Sequence, residues 1–184
     1  MKRLLDSGIA IILLITISPL TLLISVCILC IMGRPVLFRQ KRPGLNGQPF
    51  ILYKFRTLKE MRDKQGNYLP DADRITSMGK LLRRMSVDEI PQLVNVIKGE
   101  MSLVGPRPCL PDQNKLINLR TKHNIFSVRP GITGLSQINS IDMSSPEKLV
   151  KNDKKMIENF SLFNYFCYIF MTVLGKGSGD RVKL

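Results

Sequence analysis

The chain has no tryptophan, a single histidine (His123), four cysteines, and only 14 acidic side chains against 28 basic ones in 184 residues. Each shortage narrows the chemistry. One histidine and no second cysteine pair leave Cys27-x-x-Cys30 without the partners of a zinc site, and both cysteines lie inside an uncharged apolar run. Nothing points to a disulfide framework, so a reducing compartment fits. The net charge of +14 calls for an anionic partner: nucleic acid, anionic lipid or a phosphorylated substrate. No tryptophan, no interleaving of aromatic with basic residues and no recognition motif argue against nucleic acid.

Charge is also missing from residues 9–32. That run exceeds the roughly 20 residues a helix needs to cross a bilayer core, and it is too long for a signal-peptide core. It reads as a membrane segment. Ser18-Pro19 sits near its middle, where proline removes a backbone hydrogen bond and kinks a helix, and the Ser18 hydroxyl can serve a freed carbonyl. Both flanks are basic, with Lys2 and Arg3 before the run and Arg34, Arg39, Lys41 and Arg42 after it. A spanning helix carries its positive charge mainly on one side. The expectation is therefore a re-entrant membrane helix over 1–34, with both ends at the cytoplasmic face, in preference to a simple span.

Residues 34–59 hold seven basic side chains and no acidic one. Segments 35–40 and 49–55 read as strands joined by a hairpin-like turn through Arg42-Pro43-Gly44 and Asn46-Gly47. This surface suits anionic lipid, phosphate, or both. Residues 60–72 read as a loop, 73–84 and 91–98 as helices, 101–108 as a strand entering a rigid turn, 112–124 as a helix and 129–134 as a turn. A second apolar stretch, 160–174, would extend about 22 Å as a helix, short of a bilayer core, and suits an interfacial helix or a core helix of the soluble part. Residues 175–179 read as a flexible glycine-rich tail. The expected fold class is α+β, mostly helical: a re-entrant helix, then a small domain over 35–184 at the cytoplasmic face, with a short β-hairpin and interfacial helices.

Where acids are scarce, adjacent Asp88 and Glu89 stand out. Ser86 and Glu89 have capping-box spacing, so the pair has a purely structural explanation at a helix N-terminus. Pro91 complicates it, because proline prefers the first helical position and leaves the pair on the approach turn. A helix N-terminus with neighbouring Arg83 and Arg84 favours an ionised aspartate, and such a carboxylate can attack phosphorus. Phosphate repels it unless cations intervene, which arginines or magnesium would supply. Arg107, fixed between Pro106 and Pro108, is pre-oriented for that task, unless Pro-Arg-Pro is only a surface turn.

The stretch from Gly79 through Arg83, Asp88-Glu89-Ile-Pro91 and Gly99 to Pro106-Arg107-Pro108 is similar to the signature of the bacterial sugar transferases, the monotopic phosphoglycosyl transferases. Lys41-Arg-Pro-Gly44, Tyr53-Lys54-Phe-Arg56-Thr57 and Val128-Arg129-Pro-Gly-Ile-Thr-Gly134 match in order, so the resemblance covers nearly the whole chain. It implies that Asp88 attacks the sugar-linked phosphate of a UDP-sugar and releases UMP. Polyprenyl (undecaprenyl) phosphate would then take the phosphosugar. Glu89 would act as base or hold magnesium, with Asp88 the other ligand source. Lys54, Arg56, Arg83, Arg107 and Arg129 would bind phosphate or substrate, and Ser18-Pro19 would break the membrane helix. The setting would be the cytoplasmic face of a bacterial inner membrane. Around Phe163-Asn-Tyr-Phe-Cys-Tyr168 the chain departs from the acidic pattern common in the family. Two rival readings use the same basic surface: a membrane-tethered nucleic-acid-binding protein and a non-catalytic scaffold. Salt-sensitive DNA binding would favour the first; loss of turnover in Asp88→Ala would reject the second.

Overall fold

A computed structural model describes residues 1–177. In chain order the elements are α1 (Lys2–Thr16), α2 (Ser18–Met32), β1 (Leu37–Pro43), β2 (Pro49–Phe55), α3 (Asp71–Arg74), α4 (Ser77–Arg84), α5 (Gln92–Lys98), β3 (Ser102–Val104), α6 (Asn114–Lys122), β4 (Gly131–Thr133), α7 (Leu135–Ile138), α8 (Pro146–Glu158) and α9 (Leu162–Val173). The architecture is mostly helical with two small sheets, an antiparallel β1–β2 hairpin and a parallel β3–β4 pair.

The apolar run breaks where proline sits. Pro19 has no N–H to give the carbonyl of Ile15, four residues back. The Ser18 hydroxyl donates to that carbonyl instead, at 2.7 Å. Helices α1 and α2 meet there at a 63° bend. Among the described residues no single helix is long and apolar enough to cross a membrane, although this bent pair passes the length and hydropathy test together.

Both ends of the pair dock on the same globular body. At the start of α1, Arg3 donates to Val96 O and, at 2.7 Å, to Ile97 O. These are C-terminal carbonyls of α5, where a cation also meets the negative end of the helix dipole. Lys2 Nζ reaches Ser102 Oγ at 2.7 Å and Val104 O at 2.9 Å. Asp6 is buried and accepts from Ser102 Oγ, Leu103 N and Tyr165 OH at 2.9–3.0 Å, tying α1 to β3 and α9. At the end of α2, Ile24 and Ile28 pack with Phe55 and Leu82. Around the bend Leu14 and Ile17 pack against the core, whereas Ile15 is 69% exposed and Leu22 67%.

Several expectations need correction. The segment 73–84 is two helices, because Ile75 bridges to Leu58 and Thr76 caps α4, its hydroxyl accepting from Gly79 N at 2.9 Å. The turn expected at 129–134 contains β4, a true strand paired with β3. Gly105 and Gly131 permit this close crossing: a Cβ on Gly105 would lie 2.5 Å from Arg129 O, and one on Gly131 would overlap the Gly105 backbone. Helix α8 was not anticipated at all. It buries Leu149, Val150, Asp153 and Met156 along one face. The helix expected over 112–124 spans only α6. Of the tail expected over 175–179, residues 178–179 lie outside the described residues.

Candidate active site

The acid pair lies on a 3-10 turn, Val87–Glu89, leading into α5. Pro91 occupies the N-cap of α5, as its preference for helix starts implies. The capping box does not form. Ser86 adopts a left-handed conformation (φ 55°) with no side-chain cap bond, and the Glu89 carboxylate turns to two cations instead. Glu89 Oε1 accepts from Lys54 Nζ at 2.8 Å and from Arg107 Nη2 at 2.7 Å. Thus β2, the approach to α5 and the loop after β3 converge on one carboxylate oxygen. Burial pushes the Glu89 carboxyl up, but the charges and hydrogen bonds of Arg107 and Lys54 outweigh it and hold it at about 2. Asp88 beside it is 5% exposed.

The floor under the pair is rigid. Asn95 on α5 is fully buried; its amide donates to Ile51 O and Glu100 Oε2, both at 2.6 Å, and its carbonyl accepts from Tyr53 N at 3.2 Å. That network fixes α5 against β2, so the turn carrying Asp88 and the strand carrying Lys54 move as one.

The other expected site residues are distributed differently. Arg83, on the last turn of α4, donates its Nε to Thr57 Oγ1 at 3.0 Å, just beyond β2. Arg56 is buried and donates to Arg34 O at 2.9 Å and to Met32 O, so it fastens the exit of α2. Arg129 donates its Nε to Gly99 O at 2.7 Å, the C-cap of α5, at the far end of that helix from the acid pair. Arg120 and Asp153 were missed, because polar residues on helices read as solvent-facing. They form a buried ion pair at 2.7 Å whose partner is the Arg107 backbone.

A magnesium ion takes one or two carboxylates and fills its shell with water and substrate oxygens. The donor set fits that pattern. Asp88 and Glu89 are adjacent, and Lys54 and Arg107 both donate to Glu89 Oε1. No group of three or more His, Cys, Asp or Glu side chains suited to a metal occurs among the described residues.

Glu89, held by Lys54 and Arg107 beside buried Asp88, is the candidate site. Comparison with known proteins gives the family. The family model described as bacterial sugar transferase matches residues 1–176, and the chain belongs to that family of enzymes. It is 45% identical over 173 residues to the uncharacterized sugar transferase EpsL of Bacillus subtilis, covering 94% of this chain and 85% of that one. It is 36% identical to the exopolysaccharide production protein ExoY of Sinorhizobium fredii, covering 96% and 87%. It is 38% identical to a UDP-glucose:undecaprenyl-phosphate glucose-1-phosphate transferase of Klebsiella pneumoniae, covering 94% of this chain but 39% of that longer protein.

Proposed function

We propose that this enzyme transfers a sugar 1-phosphate from a UDP-sugar to undecaprenyl phosphate, at the cytoplasmic face of a bacterial inner membrane. The observation that carries the reading is the Glu89 oxygen shared by Lys54 and Arg107 beside buried Asp88. Relatives named as undecaprenyl-phosphate transferases of glucose 1-phosphate, and of N-acetylgalactosamine phosphate, support the donor and acceptor classes.

In the first step an Asp88 oxygen attacks the phosphorus that bears the sugar. The new P–O bond forms as the bond to UMP breaks, and UMP leaves with the electron pair. In the second step an oxygen of the lipid phosphate attacks the same phosphorus. The acyl-phosphate bond breaks, Asp88 is regenerated, and a polyprenyl diphosphate sugar results. Lys54 and Arg107 neutralise the charge that would otherwise repel the carboxylate from the diphosphate. A carboxyl held near 2 has little proton affinity at neutral pH, which favours Glu89 as a holder of cations over Glu89 as a base. When bound, magnesium would supply further positive charge to the diphosphate.

The anchor suits this chemistry. A polyprenyl phosphate keeps its tail in the bilayer, so its phosphate must be met at the surface. Both ends of the α1–α2 pair dock on one body, and bare apolar side chains such as Ile15 and Leu22 flank the bend, which suits a re-entrant segment. Helix α9 buries Tyr165 and leaves Phe163 80% and Phe170 62% exposed, a face that would lie in the interface. The basic segment after α2 would meet anionic headgroups. A panel of UDP-sugars with undecaprenyl phosphate tests the function through UMP release. At least one sugar should give turnover that Asp88→Asn lowers by several orders of magnitude. No release across the panel, or full activity in the variant, would overturn the reading.

A further inference from the structure

The turn Pro106-Arg107-Pro108 presents three consecutive carbonyls, and each accepts a hydrogen bond from a different element. Pro106 O accepts from Gly131 N at 2.9 Å, Arg107 O from Arg120 Nη1 at 2.7 Å, and Pro108 O from Arg42 Nη1 at 3.2 Å. The central bond differs from its neighbours because its donor is a buried charge. Arg120 is 2% exposed, and its other terminal nitrogen donates to Asp153 Oδ2 at 2.7 Å. Asp153 is fully buried, and its second oxygen accepts from Ser136 Oγ at 2.8 Å. A guanidinium and a carboxylate have thus been taken out of water between α6, α7 and α8, and the guanidinium ends on the backbone of Arg107.

Two facts make this more than packing. Replacing a buried ion pair by apolar side chains of similar size is often neutral or stabilising, so stability alone does not explain the pair. Moreover, the flanking prolines fix φ on either side and restrict Arg107 to an extended conformation. Anchoring its carbonyl then sets where its side chain starts. That side chain reaches Glu89 Oε1 at 2.7 Å. A planar guanidinium can hold Asp153 and Arg107 O together in one fork; an ammonium has no such fixed geometry.

We propose that Arg120, clamped by Asp153, is a positioning residue that aims Arg107 at the acid pair, making α6–α8 the support of the phosphate-binding arm. The consequence for turnover rests on the role given above to Arg107; the aiming itself does not.

The test has two arms. The variant Arg120→Met/Asp153→Leu removes both buried charges together and should fold. Unfolding of Arg107→Ala, Glu89→Ala and their combination gives the coupling between those two side chains. That coupling should be present in the wild-type background and lost in the Arg120→Met/Asp153→Leu background, whatever reaction the enzyme performs. In turnover, the same pair of substitutions should lower kcat by about 100-fold, the scale of a misplacement near 1 Å. In an Arg107→Ala background they should add less than about 3-fold, because nothing is left to aim. Should the pair variant fail to fold, Arg120→Lys keeps a charge against Asp153 and should show the same two losses, in smaller measure. An undiminished Arg107–Glu89 coupling overturns the proposal. So does an equal fall in kcat with and without Arg107. Loss of coupling without any turnover in the wild type would leave the aiming intact and refute only the transferase reading.

Discussion

Replacing Glu89 by glutamine keeps the shape of the side chain and removes its charge. Lys54 Nζ and Arg107 Nη2 share Glu89 Oε1 at 2.8 and 2.7 Å, so the two nitrogens lie within about 5.5 Å of each other. With an effective dielectric near 20, two like charges at that separation repel by about 3 kcal/mol once the carboxylate is gone. The fall of the Glu89 carboxyl from 4.5 to about 2 corresponds to the same order, roughly 3 kcal/mol. The side chains of Lys54 and Arg107 are 14% and 29% exposed, so screening by salt is partial. The expected loss is about 2–3 kcal/mol, which for a chain of this size lowers Tm by roughly 5–10 °C. Thermal unfolding in lipid nanodiscs at neutral pH measures it. Adding Lys54→Met should recover most of the loss, since one cation then remains. Acid should erase the difference between wild type and Glu89→Gln. The native carboxyl is depressed, so its contribution is complete above about 4.5 and is lost as pH falls through about 2. A Tm within about 2 °C of wild type at neutral pH, or no recovery with Lys54→Met, would mean that Glu89 does not hold the Lys54 and Arg107 charges together.

The topology of the anchor is tested by cysteine labelling. Cysteines placed at positions 2 and 34 should both react only from the cytoplasmic side, and reaction from opposite sides would mean a spanning helix. Pro19→Ala restores the N–H that Ile15 O lacks and should shift the segment towards a straight, spanning form. Rigorous chelation should abolish activity and excess magnesium should restore it; full activity without the metal would remove magnesium from the account.

Much of the fold was legible where local chemistry dominates. Proline and serine at 18–19 announced the bend, the Arg42-Pro43-Gly44 and Asn46-Gly47 signals announced the hairpin, and Pro91 and Gly99 bracketed α5. The strand β4 was read as a turn because its short Gly-Ile-Thr has no alternation to read, and its pairing with β3 comes from far along the chain. Helix α8 was missed although Ser145-Pro146-Glu147 is a helix-start signal, with apolar Leu149, Val150 and Met156 following. Its lysines masked the buried face. The acid pair was legible from its rarity, but its partners were not. Lys54 lies 35 residues and Arg107 18 residues from Glu89 in sequence, and only the fold brings them to one oxygen. The capping-box spacing of Ser86 and Glu89 pointed the wrong way. A carboxylate facing two half-buried cations gains more from them than from a backbone N–H.

If Asp88 carries the phosphosugar, leaving out the lipid should stop the reaction at the loaded enzyme. Enzyme mixed with UDP-sugar, radiolabelled in the sugar, should release about one equivalent of UMP and retain label on the protein, as a covalent intermediate requires. Mass spectrometry should place the phosphosugar on the peptide containing Asp88, and Asp88→Asn should give neither label nor UMP. If UMP appears only when polyprenyl phosphate is present, and no adduct can be trapped, the lipid phosphate attacks the donor directly and the covalent account is wrong.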